Sequence, residues 1–225
     1  VDQLMESIQT RFGRIDTLIN NAAVVITGSV ANREPALIEQ EIQINLIAPL
    51  VLTRLAIPLL RNASRGHVIN TVSVAGVFPT PESAIYSASK FGLRGAMLSM
   101  ALDLQMQGVL ISNVMPSATD TAMLRHEAVH GGNVLQFMDP PQQPADVART
   151  ILKVMKKPRL ETAPRPSELW LTKIAMLFPN LLPVVLPLFK RKGERGLQRY
   201  LKKLESEGLA RRDQNGWKLK DDHHV

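Results

Sequence analysis

Cysteine is absent from the 225-residue chain, which excludes disulfides and thiolate metal sites. The five histidines, two of them adjacent in the terminal DDHHV, lack the spacing of metal ligands, so we expect no metal site. A reducing compartment such as the cytoplasm is compatible with a chain that has no cysteine. Hydrophobic residues make up 45% and charged residues 21%, a balance that suits one sizeable folded core.

The formal net charge of +7 is concentrated near the C-terminus. Residues 190–225 contain eleven Lys or Arg against six Asp or Glu, so this tail alone carries a net charge of +5. Because the tail has no recognised nucleic-acid-binding module, we expect no nucleic-acid partner. The positive charge is therefore a property of the tail and not of the whole chain.

Short apolar runs alternate with helical patterns along the first 157 residues. Strands are predicted at TLIN, HVINTVS and VLISNV, with a helix before the first that Gly13 stops. A long helix is predicted from about Pro35 to about Leu60, and Pro49 and Pro58 mark where it would bend or end. Strands separated by helices indicate the α/β class, with a mostly parallel sheet covered on both faces.

Tyr86 and Lys90 stand four residues apart in the run SAIYSASKFGLRGAM, which is predicted to be helical. Side chains at this spacing project from one face of a helix and lie close together. A neighbouring cation stabilises a phenolate and lowers the pKa of tyrosine from its usual value of about 10. The pair can therefore act as an acid or base, and taken alone it can equally be a solvated surface pair.

Three polar features precede this pair in a fixed order. The sequence NNAA, beginning at Asn20, ends a short strand, and Asn45 interrupts an apolar helix. Ser73 ends the run HVINTVS, where a strand delivers its hydroxyl to the carboxyl edge of a sheet, the edge at which open α/β sheets bind ligands. Taken singly, Ser73 can also be a turn former and Asn45 a helix-interior residue bonded to backbone.

Asn, Ser, Tyr and Lys in this order, with NNAA ahead of them and a proline after them, resemble the short-chain dehydrogenase/reductase family. The similarity runs from about Ile8 to about Met155. It implies a Rossmann-like, doubly wound sheet and a hydride transfer between an alcohol and a carbonyl. The implied cofactor is NAD or NADP, with a slight preference for NADP.

The resemblance also implies a role for each residue. Tyr86 would be the general acid/base for the substrate oxygen, and Lys90 would lower the Tyr86 pKa and bind the nicotinamide ribose. Ser73 would hold the substrate oxygen, and Asn45 would order a water that links Lys90 to solvent. These roles suit a carbonyl that develops negative charge on oxygen as it is reduced.

Cofactor contacts are implied by the same resemblance. Ala23 and Ser117 stand where the family more often has glycine, which leaves the backbone at these two turns less free. The implied contacts are Asn20, Ala22, Tyr86, Lys90, Pro116, Thr119 and Thr121.

A glycine-rich turn of the Gly-x-Gly type, which the family uses for the cofactor pyrophosphate, is absent from the sequence. The chain also begins at Val1 in what the resemblance places as the helix before the fourth strand. We interpret it as an N-terminally truncated fragment of an active enzyme, itself expected to bind no dinucleotide. The alternative is a degenerate, noncatalytic binding or scaffold protein of the same family.

Three segments are predicted: 1–157 as part of the Rossmann domain, 158–189 as a Pro-rich and apolar segment, and 190–225 as a basic amphipathic tail. The stretch Ile174–Phe189 has no charge, but it is short for a bilayer, and three prolines are expected to break its helix. It would form a lid over the substrate, an oligomer contact or a membrane-interface segment. We expect a small, apolar alcohol or ketone as substrate, a homo-oligomer, and a cytoplasmic location with possible peripheral membrane contact.

Overall fold

The computed structural model describes residues 1–214 and 216–220. The helices are α1 Asp2–Phe12, α2 Pro35–Ile42, α3 Ala48–Arg61, α4 Ala84–Gln105, α5 Ala122–His130, α6 Pro144–Lys156, α7 Pro166–Ala175 and α8 Leu182–Ser206. The strands are β1 Thr17–Asn20, β2 Gly66–Thr71, β3 Val109–Val114, β4 Glu161–Thr162, β5 Ala210–Asp213 and β6 Gly216–Leu219. The histidine pair of the terminal DDHHV lies outside the described residues.

The first four strands form one parallel sheet in the order β1-β2-β3-β4. Helices follow β1, β2 and β3, as parallel strands require for their crossovers. This arrangement confirms the predicted α/β, Rossmann-like, mostly parallel sheet. Its edge at β1 carries Ile19, which is exposed.

Helices cover both faces of this sheet. Alternate side chains of a strand point to opposite faces, so neighbouring residues of β2 belong to different cores. Val68 packs with Ala56 of α3 and Leu93 of α4, whereas Ile69 packs with Val147 and its neighbours on α6. The sheet is therefore the middle layer of three, which places its carboxyl edge between the helices.

Helix α1 ends where the sequence predicts, because Gly13 adopts a left-handed conformation with φ of 68°. Some apolar residues of this helix pack on the core and others are exposed to solvent. Met5 packs against the main core, while Leu4 and Phe12 are exposed.

The long helical segment from α2 to α3 is not interrupted at Pro49 or Pro58, where the sequence predicted a bend or an end. A π-helical stretch, Gln43–Ile47, joins the two helices, and Pro49 and Pro58 both lie within α3. By length and composition the segment Pro35–Arg61 would be able to cross a membrane. Its buried residues pack on the sheet and on α4, so it forms a layer of the folded domain.

A separate core, the C-terminal core, lies away from the two faces of the sheet. It joins α5 to the last part of α8 and to the antiparallel hairpin β5–β6. Tyr200, Leu201 and Leu204 of α8 are buried in it, so the apolar face of this amphipathic segment packs within the chain. The Tyr200 hydroxyl donates a hydrogen bond to Asp120 Oδ1 at 2.7 Å.

The structure corrects the description of the C-terminal third in two respects. The expected helix break at Pro187 is wrong, because α8 runs from Leu182 to Ser206 across the position predicted to separate segments 158–189 and 190–225. The missing Pro187 N–H would have paired with the carbonyl of Pro183, which is exposed and can meet solvent instead. The linker-like stretch after residue 158 also contains β4, whose Glu161 forms ion pairs with Arg94 and Lys173.

Candidate active site

Tyr86 and Lys90 lie in the first two turns of α4, beside the carboxyl end of β2. Lys90 is buried, and its Nζ donates a hydrogen bond to the Thr71 carbonyl at 3.1 Å. The same Nζ lies 5.6 Å from the centre of the Tyr86 ring. The helical spacing thus brings the ammonium and the phenol together at the ligand-binding edge of the sheet.

Ser73 lies where β2 ends, in a strained turn. Its φ is 143°, which a residue with a side chain rarely adopts, and its hydroxyl accepts a hydrogen bond from the Ala75 amide at 3.1 Å. The turn packs tightly on α4, because a Cβ added at Gly76 would lie 2.9 Å from the Lys90 carbonyl oxygen. The Val74 amide donates to the Pro116 carbonyl and so connects this turn to the loop after β3.

The electrostatics of the tyrosine differ from the expectation. Desolvation around its hydroxyl raises the pKa of Tyr86, and the charge of Glu127 raises it further, while a hydrogen bond with the Ser73 side chain acts in the opposite direction. Burial lowers the pKa of Lys90 to about 8. The expected net lowering of the Tyr86 pKa by Lys90 is therefore wrong for this structure, because desolvation dominates, and the phenol is protonated at neutral pH.

Asn45 holds the loop that follows β1. Its side chain accepts a hydrogen bond from the Val24 amide at 2.9 Å and donates one to the Val24 carbonyl at 2.8 Å. It lies inside the π-helical stretch, a geometry that is frequent at functional sites. Glu41, one turn earlier and fully buried, accepts from the Ile26 amide and pairs with Arg33 at 2.8 Å. Two side chains of one helical segment therefore fix this loop.

A row of asparagines crosses the sheet at its carboxyl edge. Asn20, Asn70 and Asn113 occupy the same register on β1, β2 and β3. Asn20 Nδ2 donates to Asn70 Oδ1 at 2.9 Å, and Asn70 Nδ2 donates to Asn113 Oδ1 at 3.2 Å. Asn20 also donates to Thr53 Oγ1. Asn20 thus braces the sheet, while Ala22 is exposed in the loop beyond it.

Sequence reasoning missed Asn70 and Asn113 as members of this row. A signal was available, because Asn70 precedes Ser73 by three residues and Asn113 precedes Pro116 by three. A polar residue near the end of an apolar strand is a pattern that indicates a functional edge.

The loop after β3 contains the other predicted cofactor contacts. Thr121 is the N-cap of α5, where its hydroxyl accepts from the Leu124 amide. Thr119 accepts a hydrogen bond from the buried Gln142 at 3.1 Å and donates to the Ser117 carbonyl. The loop is therefore ordered by its own contacts next to Ser73. Among the described residues, no group of three His, Cys, Asp or Glu is arranged to hold a metal ion.

Comparison with known proteins identifies the family to which this fold and this site belong. Residues 1–130, more than half of the chain, match the family model for short chain dehydrogenases. The chain belongs to the short-chain dehydrogenase family.

Individual relatives agree with this assignment. The chain is 28% identical over 159 residues to an uncharacterised oxidoreductase of Staphylococcus aureus, covering 71% of this chain and 66% of that protein. It is 33% identical over 153 residues to a 3-oxoacyl-(acyl-carrier-protein) reductase of Synechocystis sp., covering 67% of this chain and 61% of the reductase. The chain thus spans somewhat less than two thirds of the length of these curated relatives.

A solved structure shows the same fold. The crystal structure of a metagenomic short-chain oxidoreductase in complex with NADP is similar with a TM-score of 0.59 at 31% identity. The similarity covers 73% of this chain and 67% of that one.

Proposed function

We propose that the full-length protein is an NAD(P)-dependent oxidoreductase that interconverts an alcohol and a carbonyl by hydride transfer, and that this chain supplies its proton-transfer site. The observation that carries the proposal is the convergence of Tyr86, Lys90 and Ser73 at the carboxyl edge of the parallel sheet. Family membership supports an oxidoreductase, and the three side chains supply the proton donor, the cation and the hydroxyl that carbonyl reduction needs.

Tyr86 is the general acid in the reducing direction. Because burial raises its pKa, the phenol carries its proton at neutral pH and can give it to an oxygen that becomes negatively charged. Ser73, fixed in its strained turn, holds that oxygen through its hydroxyl. Lys90 places a cation beside the phenol and so stabilises the tyrosinate that proton transfer leaves behind.

The chain's residues fit the nicotinamide half of the cofactor. An ammonium has three protons to donate, of which Lys90 gives one to Thr71, so the ribose can take another. The loop from Pro116 to Thr121 lies beside Ser73 and would enclose the carboxamide, while Asn20 ends β1 and Ala22 lies in the loop that follows it. When bound, the cofactor supplies the hydride. The metagenomic relative holds NADP, which favours NADP over NAD here.

The substrate class follows from the same site. We propose an alcohol or ketone, because Tyr86, Ser73 and Lys90 act on one oxygen and the adjacent carbon, and we expect it to be small and apolar. We also propose a homo-oligomer in the cytoplasm.

Cofactor-dependent turnover of the full-length protein tests the proposal. Consumption of NADPH and NADH is measured with a series of apolar ketones, for wild type, Ser73→Ala and the control Ser99→Ala, whose residue is exposed on α4. Loss of one donor to the developing charge lowers kcat by about 10²-fold or more in Ser73→Ala, while Ser99→Ala stays near wild type. No consumption with any ketone, or equal rates for all three proteins, contradicts the proposed function.

A further inference from the structure

An exposed apolar corner projects from the domain between α7 and α8. From residue 177 to residue 192 no side chain is buried. Leu177 is 71% exposed and Leu188 is 76% exposed, values that are ordinary for lysine and unusual for several leucines in succession. The other exposed apolar residues of this corner are Phe178, Leu181, Val184, Val185 and Phe189.

Both ends of the corner are fixed to the folded domain. On one side, Leu169 of α7 is buried in the main core and Lys173 forms an ion pair with Glu161 at 2.6 Å. On the other side, Gly193 and Gly196 of α8 pack directly on the backbone of Val134 and Phe137. The corner is therefore a supported projection, in which the two helices meet at 89°.

Positive charge follows the apolar residues without a gap. Residues 190–199 contain five Lys or Arg and one Glu. Arg191, Arg195 and Arg199 recur every four residues on one side of α8 and line a shallow surface cleft with Glu194 and Gln198. An apolar wedge bordered by cations is the pattern of a segment that lies in the interface of an anionic membrane.

We propose that residues 177–199, the membrane-docking corner, dock on an anionic lipid bilayer. The apolar side chains enter the boundary between headgroups and acyl chains, and the arginines contact lipid phosphates. The corner does not cross the bilayer, because its two arms are perpendicular and charge begins at Lys190. A second copy of the chain is the less suitable partner, because a symmetric contact sets the same cations of both copies against each other.

Vesicle flotation of the purified full chain tests the proposal. Vesicles of phosphatidylcholine alone are compared with vesicles that contain about one third phosphatidylglycerol. We expect at least tenfold stronger partitioning onto the anionic vesicles, and a severalfold decrease when the salt is raised to about 0.5 M, because salt screens the arginines.

Matched variants identify the surface. Leu177→Asp/Leu188→Asp is expected to reduce partitioning at least tenfold, and Arg191→Glu/Arg195→Glu to reduce it and remove most of its salt dependence. The control Leu102→Asp/Met106→Asp changes residues that are 73% and 92% exposed at the C-terminal end of α4 and just after it, and is expected to float like wild type. Circular dichroism and thermal unfolding verify that each variant is folded.

Three outcomes overturn the proposal. One is the absence of flotation on either vesicle, and another is an equal loss in the corner and control variants. The third is a concentration-dependent dimer that Leu177→Asp/Leu188→Asp dissociates, seen by analytical ultracentrifugation without any vesicle binding, which would assign the corner to self-association. The measurement does not depend on catalysis, so it is independent of the proposed enzymatic function.

Discussion

At the scale of single residues, burial sets the protonation of the site. Lys90 is almost completely enclosed, and desolvation lowers its pKa to about 8, which still leaves it mostly charged at neutral pH. The same enclosure keeps Tyr86 protonated. The two groups therefore start from a charged donor and a neutral acid, which is the pairing that proton transfer to a carbonyl oxygen requires.

The pH dependence of stability should report on Lys90 directly. Its pKa is about 8 in the folded protein and 10.5 when unperturbed, so between these values the unfolded chain binds more protons and stability rises with pH. Relative to Lys90→Met, wild type should gain about 2 kcal/mol of unfolding free energy between about pH 8 and pH 10. Denaturant titrations at both pH values measure this.

The control for this experiment is Lys153→Met, which removes an exposed lysine of α6. The difference between wild type and this variant should not show the rise attributed to Lys90. A wild-type minus Lys90→Met difference that is independent of pH would mean that Lys90 is not desolvated.

The sequence predicted the proximity of Tyr86 and Lys90 better than the other contacts of the candidate site. The spacing of Tyr86 and Lys90 requires their proximity on a helix, and the structure has it. The side chain of Asn45, by contrast, binds Val24, a residue 21 positions earlier, and no local pattern specifies that partner. The raised pKa of Tyr86 depends on enclosure by distant elements, including Glu127 on α5, and for that reason sequence spacing gave the wrong sign.

At the scale of elements, the π-helical stretch between α2 and α3 helps to fix the loop after β1. Asn45 in this stretch binds the backbone groups of Val24, and Glu41, one turn earlier on α2, accepts from the Ile26 amide. Such a loop has no regular partner of its own, so these bonds satisfy polar groups that would otherwise be left unpaired.

Asn45→Ala should therefore destabilise the protein. It leaves the Val24 amide and carbonyl without their partner, and each partly buried unsatisfied group costs about 1–3 kcal/mol. Chemical denaturation should show a loss of about 2–4 kcal/mol. Gln43→Ala, an exposed position of the same stretch, should change stability by less than about 0.5 kcal/mol. Equal effects of the two substitutions would refute the role given to Asn45.

The sequence predicted the end of an element correctly where a local signal marks it. Gly13 ends α1 because a left-handed residue is required there. The continuation of α8 through Pro187, and the strand β4, depend on tertiary contacts: α8 is held by Gly193 and Gly196 beyond the proline, and the two residues of β4 pair with β3. Proline rules and short-range patterns contain no information on either contact.

At the scale of the whole molecule, a buried hydrogen bond links the C-terminal core to the loop that leaves the sheet after β3. Tyr200, in the C-terminal core, donates to Asp120, in the loop after β3, and Arg125 and Lys203 also bind that carboxylate. These bonds hold the pKa of Asp120 below its usual range despite its burial. The C-terminal helix is thereby fixed to the loop beside the site.

Tyr200→Phe tests this link. Loss of a hydrogen bond to a charged group should cost about 1.5–3 kcal/mol in unfolding free energy, measured by denaturant titration. Because Arg125 and Lys203 keep Asp120 ionised, the fold should remain intact. A change below about 0.5 kcal/mol would show that the C-terminal core and the loop after β3 are not coupled through this bond.

The parallel sheet and its two covered faces followed from the alternation of strands and helices, whereas the C-terminal core did not. The C-terminal core is assembled from α5, α8 and the hairpin β5–β6. Its members lie far apart in the sequence, up to the 95 residues between Leu124 and Leu219. Only the apolar face around Tyr200 indicated its presence.

The central claim is that Tyr86 gives its proton to the substrate oxygen, and the kcat of Tyr86→Phe, introduced into the full-length protein, tests it most directly. The substitution keeps the ring and removes the hydroxyl, so kcat for ketone reduction should fall by about 10²–10⁴-fold while the Kd for NADPH changes less than about threefold. A variant that retains kcat within about twofold of wild type would contradict the proton-transfer role and the function built on it.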